Sequence, residues 1–153
     1  MKLIGVHNHH NGVAEWEKRE LYEWLTDVFE VPQIQLQRRC TPDIRAHVAK
    51  EFEKEGWALD VKLDQDIGLT VFAMKDDVAF QLQTGNMSRA PYDLLKLEYL
   101  YRDGRIKCAA LALPTRDGAN AIGDNIANAD RLANELELFR LVISVPIMLI
   151  AFE

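Results

Sequence analysis

The chain has 153 residues, 48% of them apolar, and a formal net charge of −6. That length and apolar share suit one globular domain with a core of its own, so residues 1–153 are expected to form a single unit. The acidic balance excludes a generally basic surface for nucleic acid or anionic membranes, and any nucleic-acid contact has to come from a local patch.

The opening run, Met1-Lys2-Leu3-Ile4-Gly5-Val6, meets the polar His7-Asn8-His9-His10-Asn11 too soon for the apolar stretch of a signal peptide. Apolar residues Trp16, Leu21, Trp24, Leu25 and Val28 then recur at helical spacing, which predicts an amphipathic helix over 15–29, ended by Val31-Pro32. Residues 33–40 alternate Ile34 and Leu36 with glutamines and finish at Arg38-Arg39, a pattern for a short strand or an extended connector. Thr41-Pro42-Asp43 is a helix start, with Thr41 as the cap and Pro42 in the first turn, and Gly56 closes that helix.

After Trp57 the period changes to two. Leu59, Val61 and Leu63 alternate with charged residues, a Gln65-Asp66 turn leads into 68–74, and Lys75-Asp76-Asp77 turns the chain into 78–83. This predicts a three-stranded antiparallel meander. Pro91 opens a helix with Leu94, Leu95, Leu97 and Leu100 on its apolar side, and Lys107–Leu113 is an apolar strand stopped by Pro114. A polar stretch, 115–124, precedes a helix over 125–140, and 144–152 reads as a buried strand. The last apolar run, Leu141–Phe152, is too short for a bilayer span, which takes about 20 residues. No membrane partner is expected.

Strands joined through helices pair in parallel and a meander pairs antiparallel, so the expected fold is α/β, a mixed β-sheet flanked by helices on both faces. The two cysteines, Cys40 and Cys108, lack metal-ligand spacing and are too few for a disulfide framework, which points to reduced thiols and a cytoplasmic location.

The element order helix, three strands, helix, strand is the αβββαβ core of the PD-(D/E)XK nucleases. Particular residues narrow this. The run Val78-Ala79-Phe80-Gln81-Leu82-Gln83-Thr84-Gly85-Asn86, followed by Ser88-Arg89 and Tyr92-Asp93-Leu94-Leu95-Lys96, resembles the active-site strand and next helix of type II restriction endonucleases of the Bgl and BstY type. The likeness continues through Leu113-Pro114-Thr115, Asn125-Ile126-Ala127-Asn128 and Val145-Pro146, and is strongest from residue 75 onward. It implies a homodimer acting on double-stranded DNA within a restriction-modification system. It also implies Mg²⁺ held by an Asp and a Glu, which hydrolyses a phosphodiester bond.

The resemblance puts Gln83 at the family's own Gln, and Gln81 where the family has its metal-binding Glu. An ungapped reading puts Phe72 at the family's Asp, nine residues earlier. A neutral amide keeps the shape of a carboxylate but loses its charge. Three readings fit: a catalytically silent relative; an introduced Glu-to-Gln change at Gln81, which leaves Phe72 unexplained; or migrated carboxylates, with Asp66 or Asp64 and also Glu98 supplying the metal site. In the active case Asp66 is the metal-binding and catalytic carboxylate, and Gln81 and Gln83 complete the site, with Gln83 orienting water or phosphate.

Asn86, Ser88 and Arg89 follow that strand and Lys96 lies on the next helix, where they are candidate DNA contacts; capping of the helix and a solvated lysine are the alternatives. Arg38-Arg39 with Arg45 and His47 form a possible basic patch. His7, His9 and His10 lack the support of a zinc set and suit a loop or interface role. Trp16 and Trp24 are read as core or dimer-contact residues. The leading expectation is a DNA-binding endonuclease-like protein or its silent relative. The competing one is a regulatory or structural interaction protein that uses the same fold as a scaffold.

Overall fold

The computed structural model describes residues 1–153. Six strands form one sheet in the order β1-β6-β5-β4-β3-β2. They are β1 (Leu3–His9), β2 (Ala58–Lys62), β3 (Thr70–Lys75), β4 (Val78–Leu82), β5 (Cys108–Pro114) and β6 (Ile147–Phe152). The meander β2-β3-β4 is antiparallel, β4-β5-β6 are parallel, and β1 closes the far side antiparallel to β6. All residues of β5 are buried, as a parallel strand covered on both faces requires.

Helices cover the sheet on both sides. On one face lie α1 (Gly12–Lys18), α2 (Tyr22–Asp27) and α3 (Thr41–Lys54). Their core is aromatic: Phe52 sits 4.4 Å from Phe80 and 4.9 Å from both Trp24 and Trp57, ring centre to ring centre. Trp16 is fully buried there, so it is a core residue. On the other face α4 (Ala90–Arg102) and α6 (Ala129–Leu138) pack an aliphatic core that includes Leu94, Leu97, Leu132 and Leu136. Each such buried side chain contributes roughly 1.5–3 kcal/mol. No helix is long and apolar enough to cross a membrane.

The meander, the late helices and the mixed sheet match the expected pattern; strand β1 was not expected, and four other local features differ. The helix expected over 15–29 is broken, because Glu20 adopts a left-handed conformation (φ 59°) and the N–H of Leu21 bonds back to the Trp16 carbonyl. Residues 33–40 form turns instead of a strand: the N–H of Cys40 bonds to Gln37 and Arg39 has φ 73°, while Ile34 and Leu36 still pack on the core. Thr41 is the first residue of α3 and makes no capping bond. The polar stretch after Pro114 contains a helix, α5 (Arg116–Ile122), whose cap is the Thr115 side chain accepting from the N–H of Gly118 at 3.0 Å.

Candidate nucleic-acid interface

The ladder between β3 and β4 ends at the pair Ala73–Phe80. Beyond it the Gln81 side chain takes over from the backbone, its Oε1 accepting from the N–H of Phe72 at 2.9 Å. The start of β3 and the residues leading into it therefore diverge from the end of β4, and a cleft of about 680 Å³ opens between them and the start of α4. Its floor is Gln81 and Gln83, and its rim carries Thr41, Arg45, Gly68, Thr70, Gly85, Arg89, Asp93 and Lys96.

Asp93, in the first turn of α4, is 3% exposed and collects the polar groups of the floor. It accepts from Gln81 Nε2 at 2.9 Å, from Gln83 Nε2 at 2.5 Å, and from Lys96 Nζ at 2.6 Å. Lys96 lies one turn along the same helix, so helical spacing brings the pair together. Its ammonium also donates to the Thr70 carbonyl at 3.0 Å. The second oxygen of the floor, Gln83 Oε1, accepts from the N–H of Gly85 at 2.7 Å. Gly85 leaves room for this hairpin of bonds, since a Cβ there would come within 3.1 Å of Gln83 Oε1.

Asp93 is the one carboxylate lining the cleft, against three cationic side chains, Arg45, Arg89 and Lys96. Arg45 and Arg89 are exposed. The Arg45 guanidinium lies 5.2 Å from the centre of the Phe72 ring, which positions it by cation–π attraction. An acidic protein thus presents a locally positive groove.

The residues singled out in the sequence fall in different places. Gln81, Gln83, Arg89 and Lys96 all line the cleft. Asn86 and Ser88 stand just outside it, and the Asn86 side chain caps the short turn at Met87–Arg89 by accepting from the N–H of Ser88 at 2.9 Å. Asp66 sits in an exposed turn whose geometry is fixed by Asp64, which accepts from the N–H groups of Asp66 and Ile67 at 2.8 and 3.1 Å. Neither acid lines the cleft. The carboxylate that meets Gln81 and Gln83 is that of Asp93, not Asp66.

Glu98 also points away. It holds the chain entering β6, accepting from the N–H groups of Ser144 and Val145 at 2.8 Å and from the Ser144 hydroxyl at 2.7 Å. Phe72 packs on Phe52 and Phe80.

In the sequence Asp93 is marked only by the resemblance and by its spacing, three residues before Lys96 in the first turn of the helix that follows β4.

Three of the four histidines meet backbone carbonyls, and the fourth, His7, lies 3.6 Å from the Glu137 carboxylate. His9 is buried and pairs with the Ile143 carbonyl at 2.8 Å, His10 pairs with the Arg140 carbonyl at 2.8 Å, and His47 with that of Val28 at 2.9 Å. No group of three His, Cys, Asp or Glu side chains is arranged to hold a metal. Arg38 reaches only Asp124, at 4.0 Å, and of the basic patch expected around it Arg45 alone belongs to the cleft.

A mixed sheet covered on both faces, with a polar cluster where the second hairpin strand leaves its partner, is the architecture of the restriction endonucleases. The sequence model of the family described as restriction endonuclease BglII/BglIII matches residues 4–152, and the chain belongs to that family. Its fold is similar to that of restriction endonuclease BglII complexed with a DNA 16-mer, with a TM-score of 0.85 at 12% identity over 100% of this chain and 78% of that one. It is also similar to free BglII, with a TM-score of 0.75 at 13% identity over 100% of this chain and 80% of that one. Among curated proteins none matches the sequence.

Restriction endonucleases generally use a divalent metal, and the cleft can be tested for one. A hard divalent cation such as Mg²⁺ takes oxygen ligands, carboxylates above all. Here one carboxylate is engaged through both oxygens by N–H donors, and both glutamine oxygens accept from backbone N–H groups. As arranged, these residues do not fit Mg²⁺.

Proposed function

We propose that this chain is a double-stranded DNA-binding member of the BglII family that engages the duplex through the cleft at the end of β4 and does not hydrolyse it. One observation carries the reading: Arg45, Arg89 and Lys96 line a cleft whose single carboxylate is already paired with Lys96 and held by two amide donors. Guanidinium groups suit phosphate oxygens, because their planar forks match them in shape as well as charge. Gln81 and Gln83 hold Asp93 in place, and in this reading they position the floor of the groove instead of activating water. Gln81 stands as it is within a complete hydrogen-bond network, which favours the silent relative over the migrated-acid reading.

A homodimer is part of the proposal. Tyr92, Leu95 and Tyr99 recur along α4 at 46%, 54% and 45% exposure, beside Ile67 at 57%. They form an apolar stripe next to the cleft, and large aromatic and aliphatic side chains of this kind form the cores of homodimer interfaces. A second copy packed there would set two clefts side by side, as a palindromic duplex requires.

Incubation of supercoiled plasmid with Mg²⁺ or Mn²⁺, alongside retardation of a labelled duplex, tests the reading. The expected result is retarded duplex and intact plasmid, and plasmid cleavage by the unaltered chain would contradict it.

A further inference from the structure

We infer that the Lys96 ammonium is the resident cation of the cleft, a single charge in the place of a divalent ion, so that the site neither takes up a metal nor needs one to receive a phosphate. The ammonium is held by a carboxylate oxygen of Asp93 at 2.6 Å and a backbone carbonyl, that of Thr70, at 3.0 Å. These are two of the ligand types that a hard cation takes from a protein. An ammonium carries three protons, and with two directed at those oxygens the third is free for an incoming phosphate oxygen.

The neighbouring amides make this arrangement self-sufficient. Gln81 and Gln83 each donate to Asp93 through Nε2 and accept a backbone N–H at Oε1, from Phe72 and Gly85. Each of these acceptor oxygens already has a donor, so none waits for a cation. A carboxylate in place of the Gln81 amide would lie 2.9 Å from Asp93, and two like charges at that distance demand a cation or a proton. The two neutral amides and the one ammonium are therefore a matched set: with a single negative charge in the floor, a single tethered positive charge completes it.

Titration of Mn²⁺ alone into the protein without DNA, followed by calorimetry, reads this directly. The unaltered chain is expected to show no saturable binding at millimolar Mn²⁺. The double variant Gln81→Glu, Lys96→Met is expected to bind one Mn²⁺ per chain at least about tenfold more tightly, since affinity follows ligand charge. Binding of one Mn²⁺ by the unaltered chain that is lost in Asp93→Asn would overturn the inference, and so would a folded double variant that binds no metal. If the double variant does not fold, the unaltered chain's titration decides alone.

A second measurement concerns DNA and rests on the function proposed above. Duplex affinity in EDTA and in Ca²⁺ at matched ionic strength should agree within about twofold, and a tenfold gain in Ca²⁺ would overturn the inference. Absence of duplex binding in both buffers would remove the proposed function and leave the Mn²⁺ titration to decide the role of Lys96.

Discussion

Two acids on the same helix have opposite tasks. Asp93 faces the cleft and Glu98, five residues later, faces the chain that enters β6. Burial pushes the Glu98 carboxyl up, but the Arg102 guanidinium, the Ser144 hydroxyl and the N–H groups of Val145 and Ser144 outweigh it, and the net displacement is below its usual value of 4.5. A carboxyl whose folded value is depressed contributes stability above its unfolded value, and that contribution is lost as the pH falls through the folded value. Thermal unfolding of the unaltered chain and of Glu98→Gln, followed from about pH 7 to pH 3, is expected to converge as the pH drops below about 4.5. Parallel curves would deny Glu98 this role. Helical spacing pairs Asp93 with Lys96 and Glu98 with Arg102, but it does not say which further partners each acid meets, because those lie 10 to 47 residues away in the chain.

At the scale of elements, periodicity identified every long amphipathic or alternating segment and missed what depends on single backbone conformations. The break between α1 and α2 needs a left-handed residue, and Glu20 takes that role without the glycine that would announce it. The helix α5 was hidden by Asp117-Gly118 and a low apolar content, although Thr115 was available as its cap. Strand β1, seven residues long, is only partly buried and carries His7 and His9, and it becomes a strand through its ladder with β6.

Gly12 shows how closely these elements approach. A Cβ at that position would fall far inside van der Waals contact with the backbone of Ile147, where α1 begins against β6. Backbone at both sides cannot yield as a flexible side chain would, so Gly12→Ala is expected to cost about 3 kcal/mol in chemical denaturation. A loss below the error of that measurement would show that α1 does not pack as described.

For the whole molecule, the sheet order places the parallel strands at the centre and the meander at one side, so that the cleft opens where an antiparallel pair parts beside a parallel one. The antiparallel meander and the parallel late strands were legible in the sequence from loop lengths and the change from period two to helical spacing, whereas β1, which flanks β6 and leaves the parallel strands central, was not. The cleft's chemistry was only half legible: Gln81, Gln83, Arg89 and Lys96 were named from their strand and helix, whereas Arg45 was named in a patch with Arg38, Arg39 and His47 that the fold does not assemble, and Asp93 gains its meaning from the fold. The apolar stripe of Tyr92, Leu95 and Tyr99 sits on the helix that supplies Asp93 and Lys96, so assembly and DNA contact are joined mechanically in the proposed dimer. Leu95→Glu is expected to convert dimer to monomer in sedimentation equilibrium while leaving the unfolding midpoint nearly unchanged, since Leu95 is half exposed. An unaltered chain that sediments as a monomer would remove the dimer from the account.

In the proposed function the positive charge of the cleft holds the duplex. Fluorescence anisotropy of a labelled duplex, measured in EDTA over a range of salt concentrations, compares the unaltered chain with Arg45→Ala, Arg89→Ala. Log affinity is expected to fall linearly with log salt, and the double variant should bind more weakly with a slope smaller by about two. No binding by the unaltered chain in EDTA, or a slope that the double variant leaves unchanged, would contradict the cleft as the site where the duplex is held.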